Sequence, residues 1–186
     1  KLLMKAASFD EKVLAALTKI PDSKQLTREQ GVNRLYYLGW TYYFQNDNQN
    51  AKKWLLAYES NAEDKTRIAR TYYQLGQNEW QEKNYKEALS FFDKLDQFPE
   101  FPLRKPTLFL KAEAHYQIFL KDPPQTDKEE SIEKIIAHYQ TYLKTEDQQY
   151  RSLAYFRLGS LFAEIQQNLQ VHNNYQQYLH YNQQQY

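Results

Sequence analysis

The sequence contains no cysteine, and it is poor in the residues that interrupt helices, with four glycines and six prolines among 186 residues. The missing cysteines exclude disulfides, thiolate zinc sites and cysteine nucleophiles. No apolar run approaches the ~18 residues that a membrane span requires, so we expect no membrane insertion. The formal net charge is only +1 and the basic residues are scattered, so nucleic acid is not an expected partner.

Patterns that carry catalytic chemistry are also missing. The sequence has no phosphate-binding loop, dinucleotide fingerprint, helical zinc motif or nucleophile elbow. No two of the four histidines stand four residues apart, the spacing that places two metal ligands on one helix face. The acidic pairs fall near predicted helix starts, where they complement the helix dipole. We therefore predict a protein that is not an enzyme and has neither a cofactor nor a metal site.

Large side chains are abundant, since hydrophobic residues make up 41% of the chain and aromatic residues 16%. Three of the four glycines occur in one context, as the last residues of Tyr37-Leu38-Gly39, Gln74-Leu75-Gly76 and Arg157-Leu158-Gly159. Apolar or small residues recur twelve, sixteen and nineteen residues after each of these glycines. These residues are Ala51, Leu55 and Tyr58, then Ala88, Phe92 and Leu95, and finally Val171, Tyr175 and Tyr178.

A weaker copy of the pattern lies between the second and third glycines. Glu113 takes the glycine position in it, and its second half is predicted at 135–143. An insertion of about ten residues around Asp122-Pro123-Pro124 separates the two halves. This insertion is either a contact site or a surface extension, because long loops vary and carry function.

The glycine, aromatic and alanine positions resemble those of the tetratricopeptide repeat family. This resemblance implies an all-α fold, a right-handed superhelical solenoid of antiparallel helix hairpins, with about four full repeats and a partial N-terminal one. The predicted repeats span 27–62, 63–101, 102–145 and 146–181, after a partial repeat at 1–26 and before a polar tail at 182–186. Because the first residue is Lys1 rather than Met and Leu2-Leu3-Met4 already predicts helix, we expect the chain to be a fragment or a processed product of a longer protein.

Capping and turn residues give the helix boundaries. Thr27 to Gln30 forms a predicted capping box, and Asp127 with Glu130 is a second one. Asn46-Asp47-Asn48 and Lys83-Asn84 predict tight turns within hairpins. The predicted helices are 28–45, 49–60, 64–82, 85–97, 104–120, 128–144, 148–166 and 168–181.

In tetratricopeptide arrays the first helix of each hairpin lines a concave groove, so the resemblance implies a groove that binds another protein or a peptide. Aromatic residues and arginine often carry binding energy in such surfaces. The residues predicted to line this groove are Tyr36, Trp40, Tyr43, Arg70, Tyr73, Gln77, Trp80, Lys111, Gln117 and Phe156. For Tyr43 and Trp80, packing between neighbouring hairpins is the alternative.

Three functions are compatible with this groove. The first is a scaffold in a bacterial envelope complex, because the repeat style is similar to outer-membrane assembly lipoproteins and the Tol-Pal coordinator. That reading favours a periplasmic or outer-membrane-associated location, with a cytoplasmic location left open. The second is the peptide-sensing domain of a transcriptional regulator. The third is a purely structural solenoid segment. The sequence leaves the identity of the partner and the oligomeric state open.

Overall fold

All regular structure that we describe is helical, as predicted. The structure is a computed structural model that describes residues 15, 17–19, 26–124 and 126–183, the last sixteen of these by their backbone alone. Most of the predicted partial repeat at 1–26, and residues 184–186 of the predicted tail, lie outside these residues. The α-helices from residue 26 onward are α1 (Arg28–Phe44), α2 (Asn48–Glu59), α3 (Lys65–Gln81), α4 (Tyr85–Asp93), α5 (Arg104–Lys121), α6 (Lys128–Leu143) and α7 (Arg151–Gln183).

The first six of these helices agree with the predicted ones to within a residue or two, except that α4 ends early. The remainder of that predicted helix is a short 3-10 helix, Lys94–Gln97. The chain divides into two compact units, Lys1–Phe101 and Pro102–Tyr186. The first unit contains α1 to α4, and the second contains α5 to α7.

In the first unit, α1 and α2 form an antiparallel hairpin whose helices touch at a glycine. A Cβ atom built on Gly39 would lie 2.6 Å from two side-chain carbons of Leu55 and 3.2 Å from the Leu55 backbone nitrogen. One turn earlier in α1, the Tyr36 ring packs against Tyr58 with centroids 4.9 Å apart. The helices can approach this closely only because residue 39 has no side chain.

The second hairpin repeats this contact. A Cβ atom built on Gly76 of α3 would lie 2.3 Å from the ring of Phe92 in α4. The two hairpins also contact each other, since the Tyr72 hydroxyl donates a 2.7 Å hydrogen bond to Glu59 of α2. Lys52 of α2 forms a 2.5 Å ion pair with the buried Glu79 of α3. Each hairpin of this unit therefore covers part of its neighbour.

Two identical turns reverse the chain inside these hairpins. Asn46 and Lys83 both adopt φ of 60°, the left-handed conformation. The amide of Asp47 bonds to the Tyr42 carbonyl, and the amide of Asn84 to the Glu79 carbonyl, at 3.0 and 2.8 Å. This is the Schellman arrangement, which normally places glycine at the left-handed position. Both predicted turns are confirmed.

In the second unit, the α5–α6 hairpin has Glu113 where the other hairpins have glycine. The hydroxyl of Tyr139 in α6 donates a 2.7 Å hydrogen bond to the Glu113 carboxylate. Phe109 packs against Tyr142 and stacks on Tyr150, with centroids 4.5 Å apart in the stacked pair. A hydrogen bond and an aromatic cluster thus replace the close glycine contact.

The last two predicted helices are wrong, because 148–166 and 168–181 are not separate. They belong to α7, a single helix of 33 residues. Between Gly159 and Gln183 the sequence has no proline or glycine, so no local residue forces a break. The predicted fourth hairpin is therefore absent from this structure.

One of the two predicted caps is also wrong. At the start of α1, Thr27 and Gln30 form both hydrogen bonds of a capping box. Asp127, however, has φ of 59° and makes no side-chain cap hydrogen bond. A capping side chain requires an extended backbone at that position. Glu130 instead pairs with Lys134 one turn later, at 2.7 Å.

The close glycine contact predicts the effect of adding one methyl group. We expect Gly76→Ala to lower the free energy of unfolding by about 1–3 kcal/mol, because the new Cβ overlaps the buried Phe92 ring. Urea unfolding followed by circular dichroism measures this change. The matched control is Gly31→Ala in α1, where a Cβ would meet nothing within 4 Å. Equal effects of the two substitutions would contradict the packing that we describe.

The left-handed turn predicts a stabilising substitution. Lys83 is exposed and has φ of 60°, which strains any residue with a Cβ, so Lys83→Gly should raise the free energy of unfolding by about 1 kcal/mol. Lys86→Gly is the control. This exposed residue lies within α4, so glycine there should lower the free energy of unfolding by about 1 kcal/mol. Thermal unfolding of both variants tests whether the first substitution stabilises the protein and the second destabilises it.

Candidate partner-binding surface

A row of aromatic side chains, exposed at Tyr37 and Phe44 and half-buried between them, runs along α1. Tyr37, Trp40 and Phe44 stand three and four residues apart, which places them on one side of the helix. The rings of Trp40 and Phe44 lie 5.8 Å apart, and Tyr43 contacts both. Tyr37 is 49% exposed and Phe44 61%. We call Tyr37, Trp40, Tyr43 and Phe44 the α1 aromatic cluster.

Tyr36, which the sequence predicts in the groove, is buried. Its ring lies between Tyr58 of α2 and the guanidinium group of Arg67 in α3, which sits 5.2 Å from the ring centroid. Arg67 also donates a 2.6 Å hydrogen bond to Asn33 of α1. Tyr36 therefore packs between three helices, and its ring is covered in this structure.

The predicted residues of α3 have mixed surroundings. Arg70 is exposed, whereas Tyr73 is half-buried against Phe92 and Phe101, with ring centroids 6.4 and 6.2 Å away. Gln77 donates a hydrogen bond to the Tyr73 hydroxyl. Trp80 is half-buried and packs edge-on against Tyr85 across the turn, at 5.0 Å. Of these four side chains, only Arg70 stands largely in solvent.

The three predicted residues of the second unit also differ from one another. Lys111 is half-buried, and Gln117 donates a 3.0 Å hydrogen bond to Glu113. Phe156 of α7 is 65% exposed, more than any other large apolar side chain that we describe. Phe156 is thus the only one of the three that offers an open apolar surface.

Tyr37 and Phe44, the two most exposed members of the α1 aromatic cluster, are not among the predicted groove residues. Offsets from Gly39 favour Tyr36 instead. The spacing of seven residues between Tyr37 and Phe44 was a usable sign, because it places both on the face that carries Trp40.

A buried carboxylate dominates the electrostatics of the second unit. Arg157 of α7 donates two hydrogen bonds to Glu113, of 2.8 and 3.1 Å, in addition to those from Tyr139 and Gln117. Burial alone would raise the pKa of Glu113, but the bonds from Arg157, Tyr139 and Gln117 hold it below its ordinary value. Burial and the Glu113 carboxylate together raise the pKa of Tyr139. With four donors engaged, this carboxylate joins α5, α6 and α7.

The predicted insertion borders a cleft beside the α5–α6 hairpin. The cleft holds about 370 Å³ and is lined by apolar and polar residues of both helices together with Asp122 and Pro124. His115 and His138 stack face to face on its wall, with centroids 4.3 Å apart. The two histidines lie on different helices, so spacing within one helix does not predict this pair. Within the described residues, no three His, Asp or Glu side chains cluster as metal ligands would.

A second cleft lies between the start of α1 and the loop that connects α2 to α3. It holds about 510 Å³ and carries charges of both signs. Arg28 and Glu63 face each other across 3.4 Å at its exposed edge. These charges pair locally, so the cleft offers no single-sign surface to a partner.

Comparison with known proteins adds no relative. No family model matches the sequence, and no curated protein is similar to it. Of the helices described, none combines the length and apolar character that crossing a membrane requires.

The Glu113 network predicts a stability effect. Arg157→Met would leave a charged carboxylate buried without its cation, so we expect the free energy of unfolding at pH 7 to fall by about 3 kcal/mol. The double variant Glu113→Gln/Arg157→Met removes the stranded charge and should recover part of this loss. Urea titrations of the three proteins measure the difference. If the double variant is no more stable than Arg157→Met, the unpaired Glu113 charge is not the cause of the lost stability.

The same network predicts a pH dependence. Because the pKa of Glu113 is lower in the folded chain than in the unfolded one, the unfolded state takes up the proton first. The stabilisation is therefore complete above the ordinary pKa of about 4.3 and is lost as the pH falls through the folded value. We expect Glu113→Gln to flatten the fall in stability between about pH 5 and pH 3. An unchanged slope would contradict the lowered pKa.

Proposed function

We propose that the chain is a non-enzymatic scaffold that binds a partner protein or peptide through aromatic residues on the first helices of its hairpins. The observation that carries the proposal is the α1 aromatic cluster, in which Tyr37 and Phe44 stay about half exposed or more beside Trp40. An exposed contiguous apolar patch of this kind typically marks an interaction site.

The chemistry of the cluster indicates the kind of partner. Rigid aromatic rings provide large contact area at a small entropy cost, and they are enriched among residues that dominate binding energy. Because the cluster follows one helix face, it suits an extended or helical segment with apolar anchor residues. The bacterial-envelope setting, which rests on repeat style, belongs to this proposal as well.

Site-specific photocrosslinking tests the proposal. A benzophenone amino acid replaces Phe44 in cells that produce the protein, and ultraviolet light captures whatever lies against α1. We expect a discrete adduct at Phe44. The captured partner, once purified, should bind the Phe44→Ala variant about 30-fold more weakly, as a contact of about 2 kcal/mol requires.

Leu120 provides the matched control. This residue is 53% exposed at the end of α5, in the other unit. Benzophenone at Leu120 should give no such adduct, and Leu120→Ala should bind the partner with unchanged affinity. Equal adducts at both positions, or no loss of affinity in Phe44→Ala, would rule out the α1 aromatic cluster as the binding surface.

A further inference from the structure

One face of α7 is apolar and uncovered. Tyr155, Gly159 and Phe162 stand four and three residues apart and so share one side of the helix. Tyr155 is 57% exposed and Phe162 50%, and a Cβ atom built on Gly159 would meet nothing within 4 Å. The adjoining side, about 100° around the helix axis, carries Ala154, Leu158 and Leu161 and is buried.

The corresponding face of the α3–α4 hairpin is closed. Tyr72 and Glu79 hold the positions before and after Gly76 that Tyr155 and Phe162 hold around Gly159. They are only 7% and 3% exposed. Lys94 and Phe98, which follow α4, pack on the Tyr72 ring, and Lys52 of α2 pairs with Glu79. The face around Gly159 therefore has the composition of a hairpin interior without the helix that would cover it.

The sequence that follows supplies such a helix. Val171, Tyr175 and Tyr178 follow Gly159 at the same offsets as Ala51, Leu55 and Tyr58 follow Gly39. In the α1–α2 hairpin these three residues are fully buried. Residues 168–181 also contain no Lys, Arg, Asp or Glu. This segment could thus cover the uncharged Gly159 face without burying a charge.

A continuous helix keeps the two halves apart. Positions sixteen residues apart on one α-helix lie ~24 Å apart along the axis and about 160° apart around it. One straight helix of a second copy could not lie along both positions at once, because nearly half a turn around the helix axis separates them. A reversal of the chain brings the segment of the same chain onto the Gly159 face.

The position for that reversal is Gln166. Asn46 and Lys83 take the left-handed conformation seven residues after Gly39 and Gly76, and Gln166 stands seven residues after Gly159. Lys83 shows that this chain accepts a long side chain at such a turn. The chain therefore has a residue at which it could reverse, Gln166, and a helical segment after it, 168–181, that could cover the Gly159 face.

We propose that α7 is the open form of a further hairpin, and that residues 168–181 of the same chain fold back over Tyr155, Gly159 and Phe162. In the closed form, Gln166 takes the left-handed conformation and Tyr175 packs on Gly159. The closed form hides the apolar face, and the open form exposes it. This inference concerns the second unit alone and does not depend on the proposed partner.

Distance measurement between two spin labels tests the proposal. The protein has no cysteine, so Ser152→Cys and Asn182→Cys create the only attachment sites. The labels lie roughly 45 Å apart on a continuous helix and about 10–15 Å apart in a closed hairpin. We expect electron paramagnetic resonance to detect both populations. A single distance near 45 Å in the wild type and in Gln166→Gly would overturn the proposal.

Three variants of the labelled protein make the test specific. Gln166→Gly removes the strain of the left-handed residue and should raise the ratio of closed to open forms about tenfold. Gly159→Leu fills the contact and should abolish the short distance, whereas Ser160→Leu, at an exposed position next to it, should leave it unchanged. A short distance that survives Gly159→Leu, or disappears on dilution with unlabelled protein, would contradict folding back within one chain.

Discussion

The contact on which the first unit depends is the approach of two helices at a residue without a side chain. Leu55 and Phe92 fill the space where Gly39 and Gly76 would otherwise carry a Cβ. Such an approach fixes how the two helices of a hairpin are aligned, because shifting one along the other would bring a larger residue into the contact. In the second unit, a hydrogen bond from the Tyr139 hydroxyl to the Glu113 carboxylate joins the two helices of the hairpin at the corresponding position.

The sequence predicted the hairpins of residues 28–143 well because their determinants are local. In the α1–α2 and α3–α4 hairpins, a glycine at the contact, apolar residues at fixed offsets and a polar turn near residues 46 and 83 all act within about twenty residues. The prediction failed at α7, where no residue forces a break. It also failed at Asp127, which adopts the left-handed conformation and makes no cap hydrogen bond. A repeat pattern indicates which residues pair, but it does not fix the chain reversal that pairs them.

The candidate surface was less predictable than the fold. Whether an aromatic side chain on a first helix faces solvent depends on its neighbours in space, as Tyr36 illustrates by packing against Tyr58 and Arg67. Trp40 remains half-buried, and Phe44 is open. The stacked pair of His115 and His138 comes from two helices and carries no signal within either one. Offsets from a glycine identify the helix face only roughly, and the next hairpin decides what stays exposed.

These features give a chain whose stability depends on closely paired helices and whose apolar surface is left open at α1 and α7. The contact at each glycine is the most direct test of that account. Nuclear Overhauser spectroscopy on protein with labelled methyl and aromatic groups should show cross-peaks from the Gly39 Hα atoms to the Leu55 methyls. Equivalent cross-peaks should join Gly76 to the Phe92 ring. A helical protein in which both sets are absent would contradict the account.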